Sequence, residues 1–420
     1  MSLKNWKTNP SPPFPRQEFT YPDYQGGSIV NLPDTVCGWF DLPPLGIGRL
    51  RDDLVPSPEE GIQNIILIIV DALSYEHFCR WTETTASEYW GPLLNRGELH
   101  PITSIAPSTT CAAITSLWTG QPAVRHGISG YEMWLKEYQL SANMIRHSPA
   151  VFSGSSPSLE GTGFKPETFL PLPTLGTHLR DQAVAPHVFQ HRSIINSGLS
   201  RTFLRDVDRH GIHTSSEMMI SIRELIEAEP EQRHYLVGYW GNIDTLFHLF
   251  GTEGPRPEAE FLDFSRHVKE YLIDALDPAS SGSSLLVITA DHGQITTPHR
   301  DYYNLADHPA LADMLHMLPT GENRLAYLYV RPGCLTAVRE YIQEQWPDQF
   351  LVMESREATE KGLFGPPPPH PDWGDRTGDL IMIARGKAYL WWPRVKNPLL
   401  GRHGGLSPAE MTVPLFTLRI

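Results

Sequence analysis

Six consecutive aliphatic residues, Ile65 to Val70, are followed at once by an acid, Asp71. A run that is branched or leucine throughout has no polar face to offer water. It suits a strand buried on both sides, as in a parallel sheet covered by helices. Similar runs recur at Tyr235 to Tyr239 and Leu285 to Thr289. Helical patterns lie between them, over Glu217 to Glu227 and over Arg256 to Leu276. In the latter Phe261, Phe264, Val268, Tyr271, Leu272 and Ala275 form one apolar stripe. The alternation predicts an α/β fold, a doubly wound and mostly parallel sheet.

The flanks read differently. The first sixty residues are rich in proline (Pro10, Pro12, Pro13, Pro15, Pro43 and Pro44), which predicts an irregular arm over residues 1–60, packed on the core. From about Arg324 a strand, a helix over Leu335 to Gln345, and strands at Phe350 to Glu354 and Asp379 to Ala384 predict a small α+β insertion or cap, residues 321–384. The catalytic core is then expected in 61–320 and 385–420.

Charge and length exclude some functions. Lys plus Arg number 34 against 48 Asp plus Glu, a formal net charge of -14. Such a surface repels a phosphate backbone, so no nucleic-acid duplex is expected as a partner. No apolar run approaches the roughly 20 residues that span a bilayer, so no membrane is expected either. Residues 1–16 hold four prolines and no apolar stretch, unlike a secretory leader, and the four cysteines are scattered. These features predict a reduced, cytoplasmic protein.

Ligands of open α/β sheets bind beyond the carboxyl ends of the strands. There the chain places Asp71, then Asp244 with His248 four residues on, then Asp291-His292-Gly293; late in the chain comes Arg402-His403-Gly404-Gly405. Singly, these residues read as a helix cap, a surface ion pair, a polar turn and a loop histidine. Together, three aspartates and three histidines suffice for two metals with three protein ligands each, the catalytic stoichiometry. The extended Ser104 to Thr110 segment turns into a helix-forming stretch, Cys111 to Trp118, that ends at Gly120. Thr110 therefore stands at a helix N-terminus, as a simple N-cap or as a hydroxyl nucleophile beside an anion-binding turn.

The order of these pieces resembles the alkaline phosphatase superfamily, and within it the type I phosphodiesterase / nucleotide pyrophosphatase branch. The matching pieces are Ile68-Ile69-Val70-Asp71, Pro107-Ser108-Thr109-Thr110 running to Thr119-Gly120, His126-Gly127-Ile128, Asp244 with His248, Asp291-His292-Gly293 and His403-Gly404. The resemblance implies an alkaline phosphatase-like core. It also implies that Asp71, Thr110, Asp291 and His292 hold one metal and Asp244, His248 and His403 a second, with Thr110 forming a phospho-enzyme intermediate. Three imidazoles favour zinc, with manganese or iron as alternatives. No arginine follows Thr110 directly, unlike the phosphomonoesterases of the alkaline phosphatase type. The expected activity is thus a phosphodiesterase or nucleotide pyrophosphatase acting on a small phosphate ester or nucleotide. A phosphomonoesterase or phosphonate hydrolase is the alternative, and a non-catalytic binding protein a distant one. Tyr75, Tyr131, Trp134, Tyr239, Trp240 and Phe247 are candidates to stack on a leaving group, and the Pro366 to Asp375 loop to reach over the mouth.

Overall fold

The aliphatic run becomes the middle strand of a seven-stranded sheet. The computed structural model describes residues 18–55, 61–150, 158–277, 283–393 and 395–420. Strand β1 spans Asn64–Val70 and is buried at every position. The other members are β2 (Glu98–Thr103), β3 (Val184–His191), β4 (Asp208–Ile212), β5 (Arg233–Trp240), β6 (Ser284–Thr289) and β7 (Thr412–Arg419). Their order is β2-β7-β6-β1-β5-β3-β4. Strand β7 runs antiparallel to β2 and β6, and the remaining neighbours pair parallel. This is the expected mostly parallel α/β sheet.

Register decides what the sheet can do. Val70 pairs with Trp240 and Ile69 with both Tyr239 and Thr289. The three strands therefore end together, and whatever follows each of them emerges at one edge. Helices Ser215–Ala228 and Pro255–His267 flank the sheet. The second was expected to run unbroken to Leu276. Instead it widens into a π turn over Val268–Ile273, which keeps Val268 and Leu272 both buried.

A second seven-stranded sheet has its own apolar core around Leu328, Val338, Trp346 and Met382. It takes in Thr320–Glu322, Leu325–Leu328, Phe350–Glu354 and Leu380–Ala384, together with Glu132–Leu135, Leu140–Asn143 and Ser148–Pro149. The last three lie far from 321–384 in sequence. Leu140-Ser141-Ala142-Asn143 carries no alternating apolar pattern, so a strand there is invisible before pairing partners are known.

Residues 1–17 of the proline-rich arm lie outside the described residues. In the described part of the arm regular structure is confined to Ile29–Asn31 and the helix Leu32–Trp39, and the remainder is turn and loop. Helix Leu32–Trp39 places Pro33 in its first turn, where the missing N–H costs nothing. The Asp34 carboxylate gathers the N–H groups of Leu45, Gly46 and Gly48 at 2.6–2.7 Å. Among the described residues no helix is long and apolar enough to cross a membrane.

Candidate active site

The common edge of β1, β5 and β6 brings Asp71, Thr110, Asp244, His248, Asp291, His292 and His403 together. Asp71, directly after β1, is buried, and Tyr239 on neighbouring β5 donates its hydroxyl to Asp71 Oδ2. Asp71 Oδ1 is enclosed with no hydrogen-bond partner. Ala72 turns into the left-handed region (φ 65), and its N–H faces Asp291 Oδ1 at 3.3 Å. Asp291 Oδ1 also takes the His292 N–H at 3.0 Å, while its Oδ2 is enclosed and unpartnered. Asp244 lies in the first turn of helix Asn242–Phe250, and its Oδ1 is a third such oxygen. Each carboxylate is thus offered toward the same space with an oxygen unspent.

The three imidazoles are oriented alike. Nδ1 of His248 lies 2.9 Å from Gly401 O, Nδ1 of His403 3.1 Å from Ser108 O, and Nδ1 of His292 3.0 Å from Gly293 O. A carbonyl accepts only, so Nδ1 carries the proton and Nε2 presents its lone pair, the usual orientation of a metal-ligating histidine. His292 Nε2 is 3.5 Å from Asp71 Oδ1, 3.6 Å from Asp291 Oδ2 and 3.1 Å from Thr110 Oγ1. His248 Nε2 and His403 Nε2 stand 3.2 and 3.8 Å from Asp244 Oδ1. The His292 and His403 rings stack at 3.9 Å. Donor atoms of Asp71, Asp291 and His292 lie within 4.8 Å of one another, as do those of Asp244, His292 and His403.

Electrostatics sharpen the picture. Burial, then the charges of Asp291 and Asp244, push the Asp71 carboxyl well above the usual range. Burial and the neighbouring His292 push His403 far down, so it is neutral. None of the charged groups acting most strongly on Asp71, Asp244 or His403 is a lysine or arginine. Crowded carboxylates with unspent oxygens and the neutral His403 fit divalent cations better than any side chain present.

Thr110 opens helix Thr110–Thr119, with extended Thr109 at the cap position and Gly120 ending it in the left-handed region (φ 63). Thr109 does not cap with its side chain. Its hydroxyl donates to Glu322 Oε1, which also takes the Tyr131 N–H at 3.1 Å. Glu322 closes strand Thr320–Glu322 in the second sheet, and nothing in the sequence pattern flagged it. Also missed were Arg324 and Glu410, a fully buried pair joined by bonds of 2.8 and 2.9 Å. Glu410 further binds the Gly405 N–H at 2.9 Å and so fixes the loop that carries His403.

Not every expected residue reaches the cluster. His126 is buried elsewhere and bonds Ser116 Oγ at 3.2 Å. Phe247 packs in the core against His77 and Trp81, and Trp240 is buried with its Nε1 on Glu260, so neither can stack on a ligand. Tyr239 serves Asp71 instead. Tyr131, 39% exposed, stays available. The Pro366 to Asp375 loop packs on the segment around Arg125, whose guanidinium binds Pro366 O and Pro367 O.

This fold and these donors define a phosphoric ester hydrolase of the alkaline phosphatase superfamily. The chain belongs to the type I phosphodiesterase / nucleotide pyrophosphatase family, whose model matches residues 65–405. Among solved structures it is similar to murine ectonucleotide pyrophosphatase / phosphodiesterase 5, at 17% identity over 85% of this chain and 88% of that one (TM-score 0.64). An inactive variant of that protein, in complex with AMP, aligns equally well. It is also similar to phosphonoacetate hydrolase from Sinorhizobium meliloti 1021 in complex with phosphonoformate, at 18% identity over 84% and 89% of the two chains (TM-score 0.60). No curated protein matches in sequence.

Proposed function

We propose that the chain is a two-metal phosphodiesterase or nucleotide pyrophosphatase with Thr110 as nucleophile. Asp71, Thr110, Asp291 and His292 would hold one cation, and Asp244, His248 and His403 the other. Zinc is the first choice for so many imidazoles, then manganese or iron. The observation that carries the reading is three unspent aspartate oxygens gathered with three imidazole Nε2 atoms, one of which, on His292, lies 3.1 Å from Thr110 Oγ1.

When bound, the cations supply Lewis-acid stabilisation of the attacking and leaving oxygens. The chain's own residues do the rest. The helix start holds Thr110 Oγ1 toward the cluster, and first-turn N–H groups, with no earlier turn to bond, face an incoming phosphoryl oxygen. Thr110 Oγ forms a bond to phosphorus as the ester oxygen leaves, and water cleaves that phospho-threonine in a second displacement. Carbonyl bonds at Nδ1 keep each imidazole in one tautomer throughout.

Two observations favour diesters or nucleotides: the family to which the chain belongs, and the absence of lysine or arginine among the groups acting most strongly on the cluster. A doubly charged terminal phosphate wants such a cation, and a singly charged diester needs it less. Four free cysteines suit a reducing, cytoplasmic setting. Initial rates on bis-p-nitrophenyl phosphate and p-nitrophenyl phosphate, after chelation and re-addition of zinc or manganese, test the reading. Metal-restored activity favouring the diester supports it. Preference for the monoester, or for phosphonoacetate as a third substrate, would replace it with a monoesterase or phosphonate hydrolase.

A further inference from the structure

We propose that Glu322, once ionised, sets the charge this site accepts, admitting phosphoryl groups with one negative charge and disfavouring those with two. The inference rests on the reading of Thr110 and its cluster given above.

The placement carries the argument. Glu322 reaches across from the second sheet to the loop of the nucleophile. Its Oε1 holds the hydroxyl of Thr109, the residue before Thr110, and the N–H of Tyr131. Its Cβ lies against Gly404, beside His403, so closely that a methyl group on Gly404 would stand 2.4 Å from it. Gly404 (φ 104) also pairs with Ser108. The carboxyl therefore stands where the Thr110 loop and the His403 loop meet, and its charge is felt at Cys111 and His248, on either side.

No lysine or arginine is among the charged groups acting most on Glu322: these are His248, which favours its ionised form, and Glu132, a half-buried carboxyl bonded to Trp392 Nε1 at 2.8 Å. Both hydrogen bonds given to Glu322 fall on Oε1, so Oε2 is left without a protein donor among those bonds. A second negative charge on a substrate held at Thr110 is repelled by this carboxylate, whereas a diester brings only one.

Burial pushes the carboxyl up to about 8, so the test runs at pH 9, where it is ionised. Glu322→Gln keeps the same shape and the same acceptor for Thr109 and Tyr131 while removing the charge. The experiment compares kcat/KM on bis-p-nitrophenyl phosphate and p-nitrophenyl phosphate, with inhibition by inorganic phosphate as a second reading of dianion binding. Relative to wild type, Glu322→Gln should raise the monoester-to-diester ratio by about tenfold or more and tighten inorganic phosphate in the same direction. Glu322→Asp, which keeps the charge, should hold the wild-type ratio. A general loosening of the loop would lower both rates and leave the ratio alone. An active wild type whose ratio does not move in Glu322→Gln overturns this inference while leaving the Thr110 reading standing. A ratio that shifts equally in Glu322→Asp also overturns it. A wild type without metal-dependent activity on either ester overturns the reading beneath it, and this inference with it. In wild type alone, inorganic phosphate binding more tightly than the diester would contradict it too, whatever the variants do.

Discussion

The central sheet carries two clusters of three histidines, two buried and one half-buried in each, and they have opposite chemistry. At the strand ends, His248, His292 and His403 spend Nδ1 on backbone carbonyls and turn Nε2 toward aspartates. On β3, β4 and β5, His187, His210 and His234 spend nitrogens on one another, with His234 Nε2 on Glu229 O. His187 Nδ1 lies 3.2 Å from His210 Nε2, and His187 Nε2 lies 3.3 Å from His234 Nδ1. The nearby carboxylate, Asp208, is held by Arg180 at 2.8 Å. Three imidazoles therefore do not make a site. Unspent carboxylate oxygens without a cation do, and only the strand-end cluster has them.

The comparison can be broken most forcefully at the nucleophile. Thr110→Ala should reduce turnover on the order of 10³-fold or more while leaving metal content near wild type; activity retained in that variant would remove Thr110 from its role. The next effect concerns the loop that carries His403. Glu410→Gln leaves Arg324 charged and buried without its partner, which should cost about 3–5 kcal/mol, read by urea unfolding. A shift under about 1 kcal/mol would show that the pair does not brace the loop.

Tyr239→Phe sharpens the contrast by removing a donor from Asp71 Oδ2. It should weaken metal binding by about 10–100-fold, measured by competition with a chromogenic chelator. Unaltered affinity would make Tyr239 mere packing. The last test belongs to the other cluster. Burial holds His187 down to about 4, with His234 and His210 adding to the shift, and burial likewise lowers His147 to about 4. These histidines fold neutral, so the unfolded chain binds more protons below pH 6.5. Stability is complete above that value and falls as pH drops toward 4, by about 1.4 kcal/mol per pH unit for each such histidine. Thermal unfolding of the metal-free protein from pH 7 to pH 4 should show this slope, and His187→Leu should flatten it.

Much of this was legible in the sequence, for a local reason. Strands buried on both faces need only aliphatic runs, and the first polar residue after such a run must stand at the sheet edge, so Asp71 and Asp291 follow from position alone. Asp244 and His248 follow from one helical turn, and Gly120 marked the end of the Thr110 helix. What could not be read depends on distant pairing. Glu322 reaches Thr109 across 213 residues, and Arg324 reaches Glu410 across 86. Leu140–Asn143 becomes a strand only because Glu132–Leu135 lies beside it. The aromatics misled because proximity in sequence to Asp244 put Phe247 on the inner face of its helix, against Trp81.

The most direct test of the central claim is a metal count. Protein stripped by chelation and dialysed against limiting zinc is measured by elemental analysis, for wild type, His403→Ala and His187→Ala in parallel. Two ions per chain in wild type, fewer in His403→Ala and two in His187→Ala would bear out the division between the clusters. Fewer than two ions in wild type, or an equal loss in both variants, would contradict it.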